Sequence, residues 1–169
     1  SAPARIVFTS SEGHYAGTLD LDDVGFEHGY SIMRAYSRSK LANVLTARLL
    51  ARRLAGTGVT VNSLHPGAIA TNIWSGAPWF ARPVLALMKR RMESPGVGGS
   101  RLAYLATSPE VAGRSGGYYH RNRLREPSKL ARDDSLGERL YAVSARLVGL
   151  ADVSGGSGSP GGSPSPNGS

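Results

Sequence analysis

The chain has 169 residues, 40% of them hydrophobic, and no cysteine, so it has room for one domain with a globular core but neither a disulfide framework nor a thiolate metal site. Twenty Lys and Arg against twelve Asp and Glu give a net charge of +8. The basic residues stand singly or in short groups, as at Arg52-Arg53 and Lys89-Arg90-Arg91, and the densest stretch, Arg114 to Arg132, is interrupted by Glu126 and Pro127; this is a solvated basic surface and not a nucleic-acid face. No apolar run approaches the ~20 residues that span a bilayer, and the start Ser1-Ala2-Pro3 shows no signal-peptide pattern, so a cytoplasmic location is expected.

Arg5 to Ser10 is a short, β-branched apolar run, a buried strand. Residues 12–34 hold Gly, Asp and His with little periodicity and are expected to form a long loop over a pocket. From Tyr36 to Leu54 the pattern becomes helical, with Leu41, Val44, Leu45, Leu49 and Leu50 on one face, and Gly56-Thr57-Gly58 stops it. Val59 to Leu64 reads as a second strand, broken by Pro66-Gly67. Thr71 to Phe80 reads as loop and Arg82 to Met92 as helix. Ser94 and Pro95 supply an N-cap and first residue for a helix through Ala106. Ser115 to Tyr119 is a short third strand, and Asp133 to Leu147 a last helix opening on acidic residues. Residues 154–169 are Gly, Ser, Pro and one Asn; with no apolar group to bury they are expected to be a disordered tail, which leaves a folded unit over residues 1–153.

This alternation is an α/β pattern with a parallel sheet. About three strands are expected, whereas a doubly wound nucleotide-binding sheet is built from two halves. The first strand would then be an unpaired apolar edge, an aggregation liability, which suggests a truncated sheet.

Tyr36 and Lys40 are spaced i and i+4, which places them one turn apart on one helix face. A free phenol loses its proton near pH ~10, and a neighbouring ammonium favours the phenolate. Such a tyrosine can exchange a proton with a carbonyl or alcohol oxygen. A serine at a strand's carboxyl end, here Ser11, can hold the same oxygen, and that end is where open α/β sheets bind ligands. No side chain supplies a hydride, so the chemistry needs a cofactor. Yet no glycine-rich phosphate loop occurs in the chain. Gly96-Val-Gly-Gly99 follows no strand and reads as a turn inside or before a helix.

Three ordered strings, Ile6-Val-Phe-Thr-Ser-Ser11, Tyr36-Ser-Arg-Ser-Lys40-Leu-Ala-Asn43 and Val59-Thr-Val-Asn-Ser-Leu-His-Pro-Gly67-Ala-Ile-Ala-Thr71, resemble the short-chain dehydrogenase/reductase family over roughly Arg5 to Leu150. The 36 − 11 = 25-residue gap from Ser11 to Tyr36, with Gly13-His14, Gly17, Leu19 and Asp22-Asp23 inside it, is similar to the retinol-dehydrogenase-like and WW-domain-oxidoreductase-like branch. The resemblance implies a Rossmann-type doubly wound parallel sheet lacking its N-terminal dinucleotide-binding half. It implies Ser11, Tyr36 and Lys40 as catalytic residues, with Lys40 also holding the nicotinamide ribose. Tyr36, Lys40, Pro66, Gly67, Ile69 and Thr71 would border the cofactor, NADP or NAD. Residues 72–94 occupy the family's substrate-loop position, where Trp74, Trp79, Phe80, Leu85 and Met88 suit an apolar alcohol or carbonyl, or simply pack the loop down.

The remaining candidates are weaker. His14, His28, His65 and His120 lack metal-ligand spacing, and His65 reads as structural. Ser10-Ser11 lacks the Gly-x-Ser-x-Gly elbow of a hydrolase. Arg34 and Arg38 are expected to be solvated. Ala42, Ala47 and Ala51 fit either a homodimer through the Tyr36–Leu54 helix or ordinary helix propensity. The alternative to an oxidoreductase is a non-catalytic fragment or interaction module that keeps the signature without binding a cofactor.

Overall fold

The computed structural model describes residues 3–68 and 92–150. The expected loop over Thr71 to Phe80, the expected helix from Arg82 as far as Arg91, and the tail after Val153 lie outside the described residues. So do Ile69, Thr71 and the aromatic and apolar residues expected to face the substrate.

Strand β1 (Ala4–Thr9) leads through a single 3-10 turn at Glu12–Ala16 and an irregular stretch to helix α1 (Ile32–Arg53). Strand β2 (Val59–His65) follows, then helix α2 (Pro95–Thr107), strands β3 (Tyr118–His120) and β4 (Arg123–Arg125), and helix α3 (Asp134–Leu147). The sheet order is β1-β2-β3-β4. β1 and β2 are parallel with Thr9 opposite Leu64, β2 and β3 are parallel with His65 opposite His120, and β4 returns antiparallel to β3.

Both faces of the sheet are covered. Tyr118 and Tyr119 are neighbours on β3 and so point to opposite faces. Tyr118 enters a core with Leu41, Val44 and Leu45 of α1 and with Leu136 and Leu140 of α3. Tyr119 enters a second core with Leu64, Leu105 of α2 and Val111. β2 lies between them and is buried from Val61 to His65, as a central parallel strand should be. Its buried Asn62 side chain donates to Arg114 O at 2.8 Å and accepts from Gly117 N at 2.9 Å, which satisfies backbone groups where β3 has not yet begun. Among the described residues no helix is long and apolar enough to cross a membrane.

Four expectations need correction. The sheet has a fourth strand; Arg-Leu-Arg is too short and too exposed to show a period. α1 begins at Ile32, four residues before Tyr36; Ile32 and Met33 face solvent, so this first turn carries no core-facing period in the sequence. Residues 12–34 are not all loop: they include the 3-10 turn and the buried His14 and Phe26. Arg38 is not solvated. Its guanidinium stacks on Phe26, 3.5 Å from the ring centroid, and donates to Asp23 O; Arg34 is exposed, as expected. Gly96 to Gly99 lie inside α2, the first of the two places expected for them, inside or before a helix. β1 pairs on one side only among the described residues, and Ile6 is partly exposed.

Candidate active site

Because β1 and β2 are parallel and adjacent, their carboxyl ends meet at one edge of the sheet. Ser10 N extends the ladder by donating to Leu64 O at 2.7 Å, and its hydroxyl donates to Lys40 O at 2.8 Å. The last carbonyl of β1, Thr9 O, accepts from Asn43 Nδ2 at 2.9 Å and from the Lys40 ammonium at 3.4 Å. Lys40 and Asn43 are three apart on α1 and so share a face. These bonds fasten the end of β1 to the third turn of α1.

Ser11 follows in extended conformation and caps the 3-10 turn, its Oγ accepting from Gly13 N at 3.2 Å. That leaves the hydroxyl hydrogen available to a ligand. Gly13 lies between Ser11 and Tyr36: a Cβ added there would stand 3.0 Å from Tyr36 Cε1 and 3.6 Å from Ser11 Oγ. The Tyr36 side chain is exposed, and the Lys40 ammonium lies 5.4 Å from its ring centroid. Ser11, Tyr36 and Lys40 therefore face one surface at the carboxyl end of β1.

His14 supports this arrangement from below. Its Nε2 accepts from Ser128 N at 3.1 Å, so Nδ1 carries the proton and donates to Ser11 O at 2.7 Å. The ring is fully buried between Tyr15 and Tyr118, and burial pulls its pKa below the ordinary histidine range.

At the end of β2, Gly67 takes φ +104°, a backbone conformation that glycine tolerates and side chains rarely adopt. The turn is clamped by α2. Arg101 donates to Pro66 O and pairs with the Glu93 carboxylate, Nη2 to Oε1 at 2.6 Å. Glu93 N donates to Ala68 O at 2.8 Å, and Arg101 holds the Glu93 carboxyl below the usual carboxylate range.

A second polar group shares this edge. Glu12 Oε2 lies 3.9 Å from His65 Nε2, and Glu12 Oε1 lies 3.8 Å from His120 Nε2 and 2.7 Å from Arg125 Nη1. Burial pulls the His65 imidazole down to about 4, against the opposing pull of Glu12. Arg125 holds the Glu12 carboxyl below its usual range.

Of the site residues expected from the sequence, Ser11, Tyr36, Lys40, Pro66 and Gly67 lie at the carboxyl ends of β1 and β2, and Ile69 and Thr71 lie outside the described residues. The roles of His14, Asn43 and the Glu93–Arg101 clamp had no reading in the sequence. A local signal existed for His14, a histidine three residues after a capping serine. The clamp joins residues whose contact only the fold creates.

A largely parallel sheet covered on both faces, with a serine after one strand and a Tyr-x-x-x-Lys pair on the next helix, defines a Rossmann-type α/β protein. The family model described as Enoyl-(Acyl carrier protein) reductase matches residues 11–100, more than half of the chain. Retinol dehydrogenase 14 of Homo sapiens is 42% identical over 153 residues, covering 89% of this chain and 46% of that protein. The WW domain-containing oxidoreductase of Drosophila melanogaster is 34% identical over 150 residues, covering 85% of this chain and 37% of that protein. Among solved structures, an uncharacterized protein from Mycobacterium paratuberculosis superposes with a TM-score of 0.64 at 26% identity, over 86% of this chain and 50% of that one. The chain belongs to the short-chain dehydrogenase/reductase family, with its similarity in the retinol-dehydrogenase-like branch. It spans about half the length, or less, of the curated relatives it matches.

Proposed function

We propose that the protein carrying this chain is an oxidoreductase that interconverts an apolar alcohol and its carbonyl, with NADP, or NAD, as hydride carrier. The observation that carries the reading is the placement of Ser11 and Tyr36 on two sides of Gly13, with Lys40 beside the tyrosine ring, in a chain of this family.

Ser11 donates its free O–H to the substrate oxygen and fixes its position. Tyr36 gives its phenolic proton to that oxygen during carbonyl reduction and takes it back during alcohol oxidation. The Lys40 ammonium stabilises the negative charge that develops on the phenol as the proton leaves. The nicotinamide, when bound, supplies or accepts the hydride at the substrate carbon.

The residues present suit the nicotinamide end of such a cofactor. Lys40 uses one N–H on Thr9 O and keeps two for ribose hydroxyls, and the left-handed Gly67 keeps a side chain out of the turn after β2. Ile69 and Thr71 complete this border in the proposal. The 169 residues contain no glycine-rich loop for the pyrophosphate, so the chain accounts for the nicotinamide end alone.

An apolar substrate is supported by the relatives' names, which refer to retinol, and by Trp74, Trp79, Phe80, Leu85 and Met88 in the expected substrate segment. Self-association through α1 has weaker support, since Ala47 is buried in the chain's own core and Ala51 packs near Gly116.

The test is cofactor oxidation by the protein with a panel of aldehydes. Long apolar and retinoid-like aldehydes should be reduced at least tenfold more efficiently than short polar ones. Lys40→Ala should weaken both cofactor binding and rate. Absence of aldehyde-dependent cofactor oxidation across the panel would refute the reading.

A further inference from the structure

We propose that Glu12, His65 and His120 form a site for a divalent transition-metal ion of the zinc type, adjoining Ser11 at the carboxyl edge of the sheet. The three residues lie more than fifty positions apart from one to the next, so no local spacing announces them. The fold brings them together. Glu12 opens the 3-10 turn after β1, and His65 and His120 close β2 and β3, where they are register partners.

One donor atom from each residue lies within 4.8 Å of the other two. The imidazole rings are stacked, 5.1 Å between centroids and 7° between planes. Both present Nε2 to the Glu12 carboxylate, at 3.9 and 3.8 Å. A tetrahedral ion with bonds of about 2.0–2.2 Å to nitrogen and oxygen holds its donors roughly 3.4 Å apart. The two carboxylate–imidazole separations exceed that by about half an ångström, within reach of small side-chain rotations. The imidazoles are carried on paired strands, and the exposed Glu12 side chain can turn toward them once its Arg125 partner is displaced.

The chemistry of the donors selects the ion. Two imidazoles and one carboxylate suit Zn²⁺, Co²⁺ and Ni²⁺, whereas Mg²⁺ and Ca²⁺ prefer oxygen. Three protein donors leave a fourth position for water. A positive group already lies against these atoms: Arg125 Nη1 is 2.7 Å from Glu12 Oε1 and 3.4 Å from His120 Nδ1. Arg125 is partly solvent-exposed, so an arriving ion can displace it. None of the three ligands belongs to the Ser11–Tyr36–Lys40 group, and metal binding is read independently of turnover.

The experiment is a titration of the untagged protein with ZnCl₂ by calorimetry and with CoCl₂ by visible absorption. One equivalent should bind saturably with a dissociation constant in the micromolar range, the cobalt form showing the intense bands of a four-coordinate ion, and a chelator should reverse both. His120→Ala and Glu12→Gln, both at accessible side chains, should each weaken binding at least tenfold. His28→Ala should leave it unchanged, and Arg125→Ala should tighten it several-fold by removing the competing cation. Absence of saturable binding, or unchanged affinity in a folded His120→Ala/Glu12→Gln double variant, would overturn the assignment.

Discussion

Two glycines decide how closely the turn after β1 can approach α1. At Gly17 an added Cβ would fall 2.6 Å from the Ser37 carbonyl oxygen and 2.9 Å from Leu41 Cβ. The obstacle is helix backbone, which cannot rotate away. Gly17→Ala should therefore cost about 1–3 kcal/mol and lower the melting temperature; an unchanged melt would contradict the close packing described. At Gly13 the obstacle is the edge of the Tyr36 ring, which can shift. Gly13→Ala should melt near the wild-type temperature yet lower turnover several-fold by displacing the tyrosine. A large loss of stability with normal specific activity in the surviving fold would be the contrary result. The pairing of Tyr36 with Lys40 was legible in the sequence because an i, i+4 spacing is local, whereas Ser11, 36 − 11 = 25 residues upstream, was singled out through the family motifs. Arg38 was misread, because its partners Phe26 and Asp23 lie across a segment without periodicity.

Among the elements, α3 shows how a helix start is fixed. Asp133 is its N-cap and accepts from Leu136 N at 3.0 Å. That bond holds the carboxyl below its ordinary value of 3.8. A depressed carboxylate stabilises the folded chain above the unfolded value, and the contribution is lost as the pH falls through the folded one. Asp133→Ala should accordingly melt earlier than wild type at neutral pH, with the gap narrowing as the pH drops below 3.8. Thermal melts of both proteins across that range check this, and a gap independent of pH would remove the carboxylate from the account. The acidic opening made α3 readable from sequence to within a residue; that Asp133 caps it is seen only in the structure. The long helix was harder at its start, since exposed Ile32 and Met33 carry no core-facing period, and β4 was invisible because three exposed residues have none.

At the scale of the molecule, the parallel register of β1, β2 and β3 does the assembly. It brings Ser11, Pro66 and His120 to one edge and divides Tyr118 and Tyr119 between two cores. Alternating strand and helix patterns made this architecture legible. The polar group of Glu12, His65, His120 and Arg125 was not, because only the register makes them neighbours. The Tyr36 ring stands against Gly13 beside the same edge, and the proposed chemistry depends on its hydroxyl. The most direct measurement is a comparison of Tyr36→Phe with wild type, reading cofactor affinity by nicotinamide fluorescence and turnover with an apolar aldehyde. The expected result is unchanged cofactor affinity with turnover reduced by ~10²–10⁴, the range for losing a positioned proton donor. Turnover at the wild-type rate would contradict the assignment of Tyr36 and, with it, the proposed mechanism.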